Sequence, residues 1–421
     1  MNHVLCLRGM AAGLVFLLSA ILCAQTWQVF DMDNSPLPST TVNALAEDPE
    51  GGIWIGTDWG LCHLDGGGNW EVFQVGNSGI SSNDVRSLAV DALGRLWIGT
   101  LSEGVVVWDG EDWTVYTNSN SSLPENGIRD LFIDHRDWIW ITTSGGLACF
   151  TGTSWNIYDD TASSFGGLVC NTNNMRTVAV RPDGLVCLGT FNGGLHYLTE
   201  TNVLFLTSFN DGFFDNTAND VLFDPVSGDR WVGTPSAGLL RQQGPAFGGS
   251  WFQWNGSIGF PSNSVNCIDM DANRSVWSGS QIFGLVSVDQ LGQFTQYTTT
   301  NSGLPDNEVV SVLSAADGSI WAGTVYGGLA RYRAATGLAE IQRPSVSVYP
   351  NPCVDRVQVQ VGGGAVNWEW SLCDTQGKLV QQGNGVGPMF GIDLLPTANG
   401  IHALRLMNKD FVETIVLLIG K

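Results

Sequence analysis

Three arginines in step are the residues of this chain best suited to chemistry. Arg86, Arg129 and Arg176 each hold the second place of a short apolar segment, as in Val85-Arg86-Ser87-Leu88-Ala89-Val90. A guanidinium presents five N–H donors in a planar fork, which matches a carboxylate or sulfate. The chain has 18 Lys and Arg against 40 Asp and Glu, so three cations in register stand out. Their other use is in ion pairs with the neighbouring Asp84, Asp130 or Asp220. Four aromatic residues, Trp59, Phe191, Phe283 and Tyr326, are expected in short loops on the same rim. There, exposed rings suit stacking on sugars; packing between neighbouring units is the alternative. The other candidates carry less. His3, His63, His135, His196 and His402 form no H-E-x-x-H, and neither G-x-S-x-G nor G-x-x-x-x-G-K-[ST] occurs. His63 and His196 read as equivalent third-strand residues with packing or surface roles. Asp269-Met270-Asp271-Ala272-Asn273 echoes the start of a calcium loop, but Arg274 stands where that loop needs Gly and Ser280 where it needs Glu. It reads as a turn. No C-x-x-C pair exists, so a zinc site is not expected. No cofactor, metal or catalytic residue is assigned.

These side chains need a frame, and a recurring phrase supplies it. Ile53-Trp54-Ile55-Gly56-Thr57 returns as Leu96-Trp97-Ile98-Gly99-Thr100 and Ile139-Trp140-Ile141-Thr142-Thr143. Looser copies centre on Cys187, Trp231, Trp277 and Trp321. A period in the low forties built from strand-like units is the spacing of propeller blades. Each repeat offers four short runs divided by Asp/Gly turns, hence four antiparallel strands per blade. The first strand lines the channel and carries the arginines. The fourth-strand pattern is missing after Trp321, while a spare copy, Trp27-Gln28-Val29-Phe30, opens the mature chain. We expect it to pair with 328–333 and close a seven-bladed ring, removing two open sheet edges. An Asn recurs just before the first strand (Asn83, Asn126, Asn173, Asn219, Asn263 and Asn307), which reads as turn architecture.

In sequence, Leu304-Pro305-Asp306-Asn307, then Asp317-Gly318-Ser319-Ile320-Trp321-Ala322-Gly323-Thr324, then Gly327-Gly328-Leu329 resemble the two-component regulator propeller family. The resemblance spans roughly 27–333. It implies a propeller of the kind found in periplasmic sensor regions ahead of a membrane helix and a histidine kinase. This chain has neither of those parts, so the propeller carries over and the signalling output does not.

Flanking segments complete the organisation. Residues 1–24 read as an export signal, with Arg8 in the n-region, an apolar run from Gly13 to Cys23 and Ala24 at the cut. That run is short for a membrane span, and Leu22 before Cys23 argues against lipidation. Residues 25–336 form the expected propeller, 337–344 a linker, and 345–421 a small Ig-like β-sandwich. Tyr349-Pro350-Asn351-Pro352, Asp374-Thr375-Gln376-Gly377-Lys378, Ile392-Asp393-Leu394 and Asn399-Gly400-Ile401 resemble the type IX secretion sorting domain. That resemblance implies the type IX machinery as a partner and delivery outside the cell. Cys353 and Cys373 share this unit, and export permits a disulfide between them.

A net charge of −22 repels phosphate backbones, so nucleic acid is not an expected partner. No second long apolar run suggests a span in the mature chain. The reading is an all-β, secreted or surface-displayed propeller that binds a glycan or another surface protein at its loop-rich rim. A propeller-type polysaccharide lyase or glycosidase is the rival. An accessory that hands a ligand to a membrane sensor is the third.

Overall fold

The computed structural model describes residues 26–160, 170, 172–199, 203–208, 213–244 and 250–334. Further on it describes 346–361, 367–375, 378–386, 389–395, 399–407 and 412–420. The export segment 1–24, the linker 337–344 and most of the long loop between Asp159 and Asn174 lie outside the described residues.

Short runs of β-branched and aromatic residues between Asp/Gly turns fold as antiparallel strands. Between Thr26 and Arg333 the described residues form seven four-stranded sheets in a propeller-like arrangement. Six take their four strands in chain order. The innermost strands are Val42–Glu47, Val85–Val90, Ile128–Ile133, Met175–Val180, Asp220–Phe223, Val265–Met270 and Val309–Ser314. Each contacts the next, and the last contacts the first.

Packing explains the recurring phrase residue by residue. Strands such as Ile53–Thr57 and Leu96–Thr100 are buried along their whole length. Apolar clusters lie between sheets rather than within them: Trp54, Leu61 and Phe73 of one sheet join Val85, Leu88 and Ile98 of the next. Here the Gly of the phrase is a matter of space. A Cβ on Gly56 would lie 2.5 Å from Val85 Cγ1, and one on Gly323 would lie 2.6 Å from Val42 Cγ1. The same residue that admits each neighbour therefore admits the first sheet against the last. The Thr that follows donates its hydroxyl to a glycine carbonyl across the turn, as Thr100 does to Gly104 at 2.8 Å.

The last sheet borrows its outer strand from the opposite end of the unit. Thr26–Phe30 pairs with Leu329–Arg333, Trp27 facing Tyr332 and Phe30 facing Leu329. Trp27 packs on Tyr332 and Tyr297, with ring centroids 5.0 and 5.8 Å away. A Cβ on Gly303 would meet Trp27 Cβ at 2.3 Å, just as one on Gly79 would meet the Trp113 ring at 2.3 Å. The borrowed strand thus occupies the seat that Trp113–Tyr116 fills in its own sheet.

Contacts divide the chain into Gln25–Ala334 and a separate unit that includes Ala335–Lys421. In the latter, Val346–Tyr349, Arg356–Val361 and Met389–Asp393 form one sheet. Asn367–Cys373, Leu379–Val386, Gly400–Met407 and Val412–Ile419 form another. Both bury alternate residues in one core containing Val357, Trp368, Leu372, Phe390, Leu404 and Leu417. The disulfide considered for this unit is absent: Cys353 and Cys373 are both free, and buried Cys353 donates its N–H to Leu418 O instead.

Candidate functional site

One backbone irregularity builds the site. Pairing of the innermost strand with its neighbour skips a residue between Val42 and Ala44, Val85 and Ser87, Ile128 and Asp130, and Met175 and Thr177. The same skip falls between Val265 and Cys267 and between Val309 and Ser311. A bulge of this kind re-aims the extra side chain. The skipped residues are Asn43, Arg86, Arg129, Arg176, Asn266 and Val310, and Asn219 holds the equivalent place before Asp220. Together they collar the channel. Asn43, Arg86, Arg129, Arg176, Asn219 and Val310 line both a cavity of about 590 Å³ and a narrower one of about 240 Å³.

The three sequence-selected arginines are therefore brought together. Arg86 pairs with Asp84 at 2.6 Å. Among the described residues Arg129 and Arg176 make no ion pair. Burial first, and the nearby Arg129 charge second, hold the Arg176 guanidinium below its ordinary pKa. Two like charges crowded together without a counter-ion are what a bound anion relieves.

Two of the expected ion-pair partners serve elsewhere. Asp130 accepts N–H bonds from Leu131 and, on the next sheet, Val178. Asp220 accepts from Thr177 Oγ1 at 3.1 Å on one neighbouring sheet and from Ile268 N at 2.7 Å on the other. Asp269 repeats the pattern with Ser314 N. These carboxylates tie innermost strands side by side. Burial, then the Asp130 charge, pushes Asp220 up to about 8; burial pushes Asp269 up to about 6 and raises Asp130.

Of the aromatics, Trp59 is 62% exposed and Tyr326 74%, with Phe191 and Phe283 also exposed. They are not packed away between sheets. Phe191 lies beneath Arg176, whose Cζ is 5.9 Å from the ring centroid. Leu101 and Ile282, on equivalent turns, are exposed as well. At the wider cavity the hydroxyl of Ser144 donates to the Glu125 carboxylate.

Other expectations need adjusting. Asn83, Asn126, Asn173, Asn263 and Asn307 each accept a backbone N–H from the preceding loop. In the fifth sheet that task falls to Asn216, through Ser208 N, while Asn219 is a channel residue. His63 and His196 are not equivalent. His63 pairs across from Trp54, stacks on it and bonds Asp48 at 2.7 Å. His196 pairs one register off, opposite Leu188, and is buried with its ring edge-on to Phe205. Asp271 closes a turn and accepts the indole N–H of Trp277, and no cluster suited to a metal occurs among the described residues.

The fold and the collar define an all-β, propeller-like protein with a polar, arginine-lined channel. Residues 36–59 and 79–102 match the family described as two component regulator propeller, and 347–419 match the secretion system C-terminal sorting domain. The chain thus carries repeats that match the first family and, at 347–419, a domain that matches the second, and it is a secreted or cell-surface protein. No curated protein is significantly similar to it in sequence. Among solved structures it resembles the extracellular domain of the hybrid two component system BT3049 of B. thetaiotaomicron. The TM-score is 0.62 at 18% identity, over 94% of this chain and 58% of that one. It also resembles PorZ, a bacterial surface component of the type-IX secretion system of Porphyromonas gingivalis. Here the TM-score is 0.57 at 16% identity, over 91% and 60%. YCF48, solved bound to D1 peptide, matches at 0.54 and 16%, over 75% and 96%. The chain spans about three-fifths of the length of the first two structures, and the likeness concerns the fold. No helix among the described residues is long and apolar enough to cross a membrane.

Proposed function

We propose that this chain is a seven-bladed propeller, spanning 25–336, followed by a 337–344 linker and an Ig-like sorting sandwich at 345–421. It is exported by the type IX machinery and binds an anionic ligand, foremost an acidic glycan, at the mouth of its channel. The single observation behind this reading is the arginine collar. Arg86, Arg129 and Arg176 line one cavity of about 590 Å³, and two of them have no counter-ion among the described residues. Exposed Phe191, its ring 5.9 Å from the Arg176 guanidinium, adds a flat face for a sugar ring, and Trp59, Phe283 and Tyr326 are exposed as well. A protein ligand with an acidic segment is the other form this binding takes.

Titration calorimetry with polygalacturonate, heparin and neutral dextran tests the proposal. The acidic polymers should bind and dextran should not. Charge-assisted hydrogen bonds are worth about 1.5–3 kcal/mol, so Arg129→Ala and Arg176→Ala should each weaken binding by about tenfold or more. Unchanged affinity in both variants would overturn the reading. New reducing ends or unsaturated sugars in the mixture would replace binding with catalysis.

A further inference from the structure

We infer that the collar takes the terminal residue of an acidic glycan, end-on, with its anionic group on one side of the channel and its C–H face on the other. The inference rests on the binding reading above and adds how the ligand sits. An internal sugar needs two openings at one level, one for the chain to arrive and one to leave. Here walls rise on most sides: Asn43, Arg86, Arg129, Arg176 and Val310 come from innermost strands of five different sheets, and Asn219 stands just before that of a sixth. Threading straight through is opposed as well. The volume falls from about 590 to about 240 Å³ in the narrower cavity, where the carboxyls of Asp130 and Asp220 join the same three arginines in the lining.

The collar is also lopsided. In ring order Arg86, Arg129 and Arg176 are consecutive, and Val310, on the last of the seven sheets, lies across from the Arg129–Arg176 side. Asn43 and Asn219 flank the arginines. Each donates its amide N–H to a neighbouring strand, to Val85 O at 3.1 Å and to Val265 O at 2.8 Å. Each retains its carbonyl oxygen and a second amide N–H, and both suit a hydroxyl. Cations on one side, amides beside them and the aliphatic Val310 opposite describe a sugar bearing one carboxylate or sulfate. An inorganic anion would use only the arginines.

The experiment is titration calorimetry on the full chain with galacturonate oligomers of two, four, eight and sixteen units. Carrageenan oligomers, which carry sulfate and no carboxylate, and an acidic peptide with free or amidated C-terminus form parallel arms. One protein per glycan chain is expected at every length, with affinity per chain nearly constant. Val310→Asp, which sets a carboxylate in place of that aliphatic side chain, should weaken binding at least tenfold without lowering the melting temperature. If the number of proteins bound rises with oligomer length, end-on capture is wrong while the binding reading survives. Binding of the peptide alone, abolished by amidation, overturns the glycan assignment. Binding of no acidic chain removes both readings. Whichever of galacturonate or carrageenan binds more tightly identifies the anion.

Discussion

Asp220 illustrates how far single residues could be read in advance. Its spacing from the arginines suggested an ion pair. In the fold its carboxylate faces backbone N–H and hydroxyl donors on the two neighbouring sheets, and it is the preceding residue, Asn219, that lines the wider cavity. A bulge leaves no mark in an apolar pattern, so the collar's membership was only half legible. Arg86, Arg129 and Arg176 stood out by their charge, whereas Asn219 read as a turn residue and Asn43 and Asn266 carried no signal. The confusion of Asn216 with Asn219 has the same origin, since the two lie three residues apart and only one serves the turn. Asp220 has a measurable signature. Burial pushes its carboxyl up to about 8 and that of Asp269 up to about 6, against about 3.9 in an unfolded chain. The folded protein holds these protons where the unfolded chain has released them. Their contribution is therefore complete below about pH 4 and is lost as pH rises through about 6 and then 8. Melting curves at pH 5 and pH 9 should show wild type losing more than Asp220→Asn, which melts lower at pH 5 but has the flatter profile. Equal slopes would refute the assignment.

Elements were the most legible scale. Anchor residues such as Trp97 and Trp140 announced strands, and the phrase around them carried its own packing instructions. The Gly of that phrase makes room for the next sheet's first residue, and the closing Thr caps the turn. Where the phrase varies, the fold compensates: Thr142 replaces the Gly and donates its hydroxyl to Arg176 O at 3.3 Å on the next innermost strand. The borrowed outer strand was visible as a fourth-strand pattern at the wrong end of the unit. Gly303→Ala tests its seat, because the added Cβ would collide with Trp27. We expect a loss of about 1–3 kcal/mol, measured by urea unfolding, and little further loss when the same change is made in a chain lacking 25–31. That truncated chain should itself melt earlier and self-associate through its open edge on a sizing column. Full additivity of the two changes would mean that Trp27 does not fill that seat.

At the scale of the molecule, two units with separate cores imply two independent stabilities. A chain ending at residue 334 should keep the propeller-like unit's melting temperature and its affinity for acidic oligomers, and loss of either would show that the units depend on one another. Exterior location and an arginine-lined mouth in a protein of net charge −22 make the collar a small positive island in a negative field. Salt should therefore weaken ligand binding at the site while easing the approach of an acidic chain across the surrounding surface. The borrowed strand carries one more consequence. Thr26–Phe30 emerges early in synthesis, yet its mate, Leu329–Arg333, is the last segment of the unit to be made. Until then the first-made residues wait without a partner. Ring completion is thus a late encounter between distant segments, slow and concentration-independent, and delivery from either end alone leaves the circle unfinished.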